Sequence, residues 1–402
     1  MEERTRAYLR GRFRDYYRRT ALSPPPDANL REWGFIPWTA GSGTTMVRHR
    51  SLLDIGSLDD FLARKRPRHV YFSAGRYDDP GAGTMQQKGW RSSDLVFDLD
   101  ADHLPGVSPE EDSYEEMLAT CKDALIKLLD FLESDFGFED TTIVFSGGRG
   151  YHVHVRDEGI LELDRDDRRE IVDYVRGIDV EFDNLIEHEA VGGTAGRSSP
   201  AHKRSLVTDG GWSGRVHSRL VSFVDDLLDL PEEDALERLQ EFDRIGEGKS
   251  TAALTAARNN YDEIAAGNID VHPAFYQVAR LLTEDVLETE SAPIDEPVTT
   301  DTNRLIRLPG SLHGGTGLAV TRVSRDALDS FRPLADAVPE QFVGQEIRID
   351  VPDLDGLPGT GAERGEIELG GDSFTITEGA QIVPEYVGVY LMARGHAEKE
   401  KE

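Results

Sequence analysis

Cysteine is almost absent from this chain: Cys121 is the only one in 402 residues. That excludes an internal disulfide and a cysteine-rich zinc site built from this chain alone. Lysine is scarce as well, with 8 of the 45 basic residues, the rest being arginine, against 76 Asp and Glu and a formal charge of -31. A charge of that sign argues against nucleic-acid binding at ordinary ionic strength. It does not in a salt-rich cell, because the Debye length falls to about 3 Å at about 1 M salt. Acids in abundance with arginine in place of lysine resemble the proteins of salt-in halophiles. No apolar run approaches the roughly 18 residues needed to span a bilayer. The opening "MEERTRAYLRGRFRDYYRR" has no apolar signal segment, so a cytoplasmic protein without a membrane partner is expected.

The length predicts more than one domain, or one core with a large insertion. Aromatic and aliphatic residues at helical spacing (Tyr8, Phe13, Tyr16, Tyr17) predict a first helix ended by Pro24 to Pro26. "HVYFSA" and "DLVFDLD" read as strands, "SYEEMLATCKDALIKLLDFLESDFG" as an amphipathic helix, and "TTIVFS" and "YHVHV" as strands around a glycine turn. This order predicts an α/β core with a mixed β-sheet in residues 1–157. Charged, helix-period segments fill 158–287, a mainly helical insertion, in which the Gly/Ser-rich stretch from Glu187 to Arg215 reads as a loop. Strand patterning returns in 288–353. Residues 354–402 read as a C-terminal extension with a frayed terminal helix.

Three stretches carry chemistry. In "SSDLVFDLDAD", strand alternation sets Asp98 and Asp100 on one face about 7 Å apart at the backbone, within reach of a shared hard cation. In an acid-rich chain the same pair also suits a solvated strand end. "VFSGGRGYHVHV" places Ser146, three glycines, Arg149 and His152 around a turn, where close backbone N–H groups and cationic side chains suit a polyphosphate. The alternatives are a plain hairpin with two surface histidines and a zinc half-site with no further cysteine near. No G-K-[ST] follows, so this is not a P-loop. "APIDEPVTTDTNRLIRLPGSLHGGTGL" adds Asp295, Glu296, Asp301, Arg304, Arg307, Ser311 and His313, and alone it could be a surface loop. Jointly the three read as metal-assisted handling of a nucleoside triphosphate. Basic clusters stand at Arg10 to Arg19, at Arg64 to Arg68 and at Arg304 with Arg307, where they also suit balancing charge on an acidic surface; those around Arg66 and Arg304 are the candidates for template contacts.

Together, "VFDLDAD", "SGGRGYHVHV" and "RLIRLPGSLHGGTGL", with "REWGF" and "VRHRSL" before them, resemble the catalytic small subunit of archaeal and eukaryotic DNA primases, from about residue 5 to 350. The resemblance implies a primase-type core and template-directed, metal-dependent nucleotidyl transfer from NTPs or dNTPs to primers on single-stranded DNA. It implies that Asp98, Asp100 and Asp295 hold two Mg²⁺ or Mn²⁺ ions. Asp295 stands eighteen residues before His313, and Asp301 is the competing third carboxylate. Triphosphate contacts fall on Ser146, Arg149, His152, Arg307 and His313, with Glu32 and Arg48 as further active-site positions. The family often carries a zinc knuckle before the glycine turn; only Cys121 remains of it here, and no zinc is expected. The implied partner is a primase large subunit carrying the iron–sulfur domain, docked on the helical insertion or the tail. Rival readings are an end-joining polymerase of the same superfamily, a nucleotide-sugar glycosyltransferase with its own D-x-D strand, and a non-catalytic replication scaffold.

Overall fold

The computed structural model describes residues 1–39, 45–108, 112–191, 201–354, 357 and 365–401. Helix α1 (Glu3–Arg19) leads to strands β1 (Arg31–Ile36) and β2 (Val47–Arg50), and helix α2 (Leu58–Lys65) to β3 (His69–Tyr77). Strands β4 (Trp90–Ser93) and β5 (Leu95–Asp100) precede helix α3 (Tyr114–Asp130) and the hairpin β6 (Thr141–Phe145) and β7 (Gly150–Val155). The middle of the chain holds α4 (Arg165–Val175), β8 (Ile186–Val191), β9 (Ala201–Leu206), α5 (Gly211–Asp229), α6 (Glu232–Gln240), α7 (Glu247–Asn259) and α8 (Pro273–Glu290). Then come α9 (Glu296–Thr300), β10 (Leu305–Arg307), β11 (Thr321–Val323), β12 (Glu346–Val351), β13 (Gly365–Leu369), β14 (Asp372–Ile376), β15 (Gly379–Pro384), α10 (Glu385–Arg394) and β16 (Glu398–Lys399).

The chain divides into two compact units, one of Met1–Leu125, Glu139–Glu170 and Pro293–Glu402, the other of Ile126–Phe138 and Ile171–Ala292. The sequence placed these breaks at 158 and 287 and set 354–402 apart, whereas residues 365–401 belong to the first unit.

In the first unit one sheet runs β10-β3-β1-β2 with β4 also on β3, and a second runs β11-β6-β7-β5. A mixed sheet was expected, but every strand pairing among the described residues is antiparallel. Strands β5 and β6 run the same way and are joined through α3, yet the tight β6–β7 hairpin returns β7 between them, so they never become neighbours. Strand β5 is apolar on both faces at its start because both are covered. Val96 packs with Ala74, Val298 and Ile306, which come from β3, α9 and β10. Beyond Val96 that face opens, and Asp98 and Asp100 are half-buried. Helix α3 buries Met117, Leu118, Cys121, Leu125, Leu128 and Leu129, the stripe its spacing predicts.

The terminal helix differs from its expected frayed form. Val387, Leu391 and Met392 of α10 are buried, Gly395 ends it at φ +93, and β16 then pairs with β12. Residues 385–394 are apolar enough to be drawn into the core, and that apolar run, not the charged end after it, decides their fate.

The second unit is mainly helical, and α5, α7 and α8 pack through Leu220, Val224, Leu254, Val278 and Leu282. The stretch expected as a loop holds the β8–β9 ladder, in register from Ile186 opposite Leu206 to Val191 opposite Ala201, and the start of α5. Residues 192–200 lie outside the described residues. A two-stranded ribbon with polar residues on both faces leaves no alternation to read.

Candidate active site

The antiparallel register sets Asp98 opposite His152 and Asp100 opposite Gly150. His152 Nε2 stands 3.3 Å from Asp98 Oδ1. Burial alone would raise the Asp98 pKa, but the charge and hydrogen bond of His152, with Arg304 and Arg307, outweigh it and hold the carboxyl below its usual range. Asp295 is shifted the other way, raised first by burial and then by the charge of Asp98, with Asp100 adding to it. Its backbone N–H donates to the Asp98 carbonyl (3.0 Å), which ties the start of α9 to β5. At the N-terminus of that short helix its side chain makes no capping bond.

The glycine turn is shaped by the residues it approaches. Ser146 Oγ accepts from the N–H groups of Gly148 and Gly150, both at 3.3 Å, and the Tyr114 hydroxyl donates to the Gly148 carbonyl at 2.6 Å. Gly147 has φ +73, and a Cβ there would lie 2.7 Å from the His313 Cβ. The turn therefore packs directly on the second glycine-rich turn, in which Thr316 Oγ1 donates to the Gly147 carbonyl. His313 Nδ1 is held by Thr316 Oγ1 at 3.1 Å and the Gly315 N–H at 3.3 Å. Burial, then the charges of Arg307, Arg68 and Arg149, push the His313 pKa well below the usual imidazole range.

These side chains line one hollow of about 390 Å³, which takes in Asp98, Asp100, Ser146, Arg149, His152, Arg307 and His313. A second, of similar size, takes in Asp98, His152 and Arg307 again, with Arg48, Tyr71, Asp301 and Arg304. Two buried nitrogens here lack partners among the described residues: the donor Arg307 Nε, and His152 Nδ1, the ring nitrogen turned away from Asp98. Buried polar atoms are nearly always satisfied, so such atoms beside a hollow point to a ligand. Arg307 also lies over the Tyr71 ring at 5.7 Å. Arg149 is half-exposed and pairs with Asp102 and, at 3.6 Å, with Asp100.

A scan against family models matches residues 97–325 to the DNA primase small subunit. The chain is 68% identical to the DNA primase small subunit PriS of Haloarcula marismortui, over the full length of both chains. It is 64% identical to that of Natronomonas pharaonis, again over both full lengths. To that of Methanothrix thermoacetophila it is 41% identical, over 99% of this chain and all of the relative. The chain belongs to the DNA primase small-subunit family.

Within this family member the structure brings together seven of the ten residues singled out from the sequence, and sets Asp295 at the end of the Asp98 strand. Arg48 lines the second hollow, but Glu32 lines neither. Glu32 is wholly buried, paired with Lys88, and accepts from Arg48 Nε (3.2 Å) and the His49 N–H (2.8 Å). Its place is behind Arg48, which it orients.

Asp98, Asp100 and Asp295 offer only oxygen donors, the set a hard divalent ion takes, and their mutual repulsion is what such an ion relieves. They fit Mg²⁺ or Mn²⁺ in kind. In this structure no three His, Cys, Asp or Glu side chains among the described residues are drawn close enough to hold one ion. Cys121 donates to the Leu99 carbonyl (3.6 Å), and burial pushes its thiol up, away from the thiolate a zinc ligand must be.

Sequence reasoning missed four residues that line the first hollow: Tyr114, Thr316, Arg394 and His396. Arg394 lies over the Tyr114 ring at 4.7 Å. Arg68 also lines it, and was noted only as one of a basic cluster. Thr316 could have been found, two glycines after His313; nothing local signals the tail residues. No helix among the described residues is long and apolar enough to cross a membrane.

Proposed function

We propose that this chain is the catalytic subunit of a DNA primase, which joins NTPs or dNTPs into short primers on single-stranded DNA. The observation that carries the proposal is the single hollow that joins the paired carboxylates of β5 to the two glycine turns with Arg307 and His313. Bound to Asp98, Asp100 and Asp295, two Mg²⁺ or Mn²⁺ ions would lower the pKa of the attacking 3′-hydroxyl and neutralise the leaving pyrophosphate. The chain's own groups do the rest. Ser146 and the N–H groups around it, with Arg149, Arg307 and His313, bind the triphosphate and hold it still. The unpartnered Arg307 Nε gains an acceptor from it. Asp98 keeps His152 in place, so the strand that carries the carboxylates also sets the phosphate-binding imidazole. The partner we propose is a primase large subunit, since the relatives are named as small subunits.

The test is primer synthesis by the purified chain in KCl-rich buffer with Mg²⁺ or Mn²⁺, single-stranded DNA and labelled NTPs or dNTPs, with and without the large subunit. Oligonucleotides made without a supplied primer are expected. Asp98→Asn, Asp100→Asn and Asp295→Asn should each lose about three orders of magnitude in rate, while Asp301→Asn should cost much less. Undiminished synthesis by the Asp98→Asn protein would rule out the assignment, and inert wild-type protein with its large subunit would favour a scaffold.

A further inference from the structure

Helix α1 buries Leu9, Phe13, Tyr16 and Tyr17 and turns a row of arginines outward. Arg10, Arg14 and Arg18 are four residues apart, so they stand one above another in steps of about 6 Å along one face. Like charges at that spacing weaken a helix, and no core position requires them. Arg66 joins the row from α2, which packs on α1; its backbone is left-handed, φ +52, a conformation costly for arginine. The charges of Arg10, Arg14 and Arg18 all act on it.

In a chain with 76 acidic residues this row has almost no acidic partners. Among the described residues Arg10, Arg18 and Arg66 make no ion pair, Arg14 meets only its neighbour Asp15 at 3.5 Å, and Arg66 Nε is buried without an acceptor. The chain itself links the row to the hollow. Two residues after Arg66, Arg68 lines that hollow, donates to the Gly314 carbonyl (3.1 Å) and lies over the Trp38 ring at 5.6 Å. Trp38 in turn meets Phe13 of α1 edge-on at 5.1 Å.

We propose that Arg10, Arg14, Arg18 and Arg66 form a phosphate track along α1 that leads single-stranded template DNA to the hollow at Arg68. This deepens the primase reading and rests on it. A straight row of forked guanidiniums complements a linear polyphosphate, and paired hydrogen bonds of fixed geometry persist where long-range attraction is screened. The half-buried Trp38 beside Arg68 supplies an aromatic face at the end of the track.

The experiment measures binding apart from chemistry: fluorescence anisotropy of a labelled single strand of about 20 nucleotides, titrated from about 0.3 to about 2 M KCl. Wild type is compared with the variant R10Q/R14Q/R18Q/R66Q and with R91Q/R238Q/R258Q/R348Q, which loses the same charge elsewhere. The track variant should bind at least tenfold more weakly, and its salt slope should fall by about 3, at about 0.7 per lost phosphate contact on a single strand. The control should stay within twofold. R10K/R14K/R18K should recover only part of the loss, as charge without the fork. If the fourfold variant does not fold by circular dichroism, R10Q/R18Q should still lower the slope by about 1.4. Equal losses in the track and control proteins, or none in either, overturn the track. So does unchanged DNA binding with lost large-subunit association, which would make the row a protein interface. Primer synthesis by the wild type separates the two readings: binding that follows the track without synthesis sinks the primase proposal alone, and synthesis without any effect of the track sinks the track alone.

Discussion

At the scale of single residues, two histidines sit where burial comes first and arginine charge second. Burial, then Arg307 and Arg68, holds His69 far below the usual imidazole range, and His313, 4.9 Å from it edge to face, is shifted the same way. Both are neutral in the free protein. A triphosphate in the hollow reverses the sign of the local field, and an anion raises the pKa of a group whose charged form is the cation. Binding should therefore take up a proton through His313, and affinity should fall as pH rises past its lowered free-state pKa. Calorimetry of a non-hydrolysable NTP in two buffers of different ionisation enthalpy checks this. Heat that depends on the buffer, and no longer does so in His313→Gln, is the expected result; identical heats in both buffers contradict it. The opposed shifts of Asp98 and Asp295 express the same logic for carboxylates, one stabilised as an anion by His152 and arginines, the other burdened by burial and by its neighbour.

At the scale of elements, the site depends on one antiparallel register. Gly150 faces Asp100, and a Cβ on it would lie 1.7 Å from the Leu99 carbonyl oxygen, inside any tolerable contact. Gly150→Ala must push β7 off β5 and move His152 away from Asp98. A loss of about 3 kcal/mol or more, read from urea unfolding, is expected, with primer synthesis falling further than stability. Wild-type stability in that variant would show the register to be wrong. Local signals were enough to find this much. Alternation placed Asp98 and Asp100, helical spacing placed α3, and the glycines marked the turn between β6 and β7, because each pattern is written within a few neighbouring residues. Two things were not legible. The β8–β9 ribbon is polar on both faces, so no period betrays it. Arg394 and His396 reach the hollow only because α10 packs back on the core of its unit, a contact between residues far apart in sequence that no local pattern encodes.

At the scale of the molecule, the charge of -31 sets the conditions under which everything else operates. Self-repulsion of that size opposes the compact state, and salt removes it. Thermal unfolding should shift up by about 10 °C between about 0.1 and about 2 M KCl, which at roughly 2–4 °C per kcal/mol for units of this size corresponds to several kcal/mol. If screening is the cause, tetramethylammonium chloride at equal ionic strength should give the same rise; a rise confined to K⁺ would mean bound ions instead. The same screening limits how a chain so acidic can handle phosphate. Attraction over distance is lost, so anions must be held at contact, by groups fixed in direction. Arg307 Nε and His152 Nδ1 are buried without partners, and Ser146 and His313 are held by the turns around them. Triphosphate affinity should accordingly fall much less with KCl than affinity for the DNA backbone does. A triphosphate salt slope as steep as that for DNA would mean that the hollow works by net charge and not by geometry.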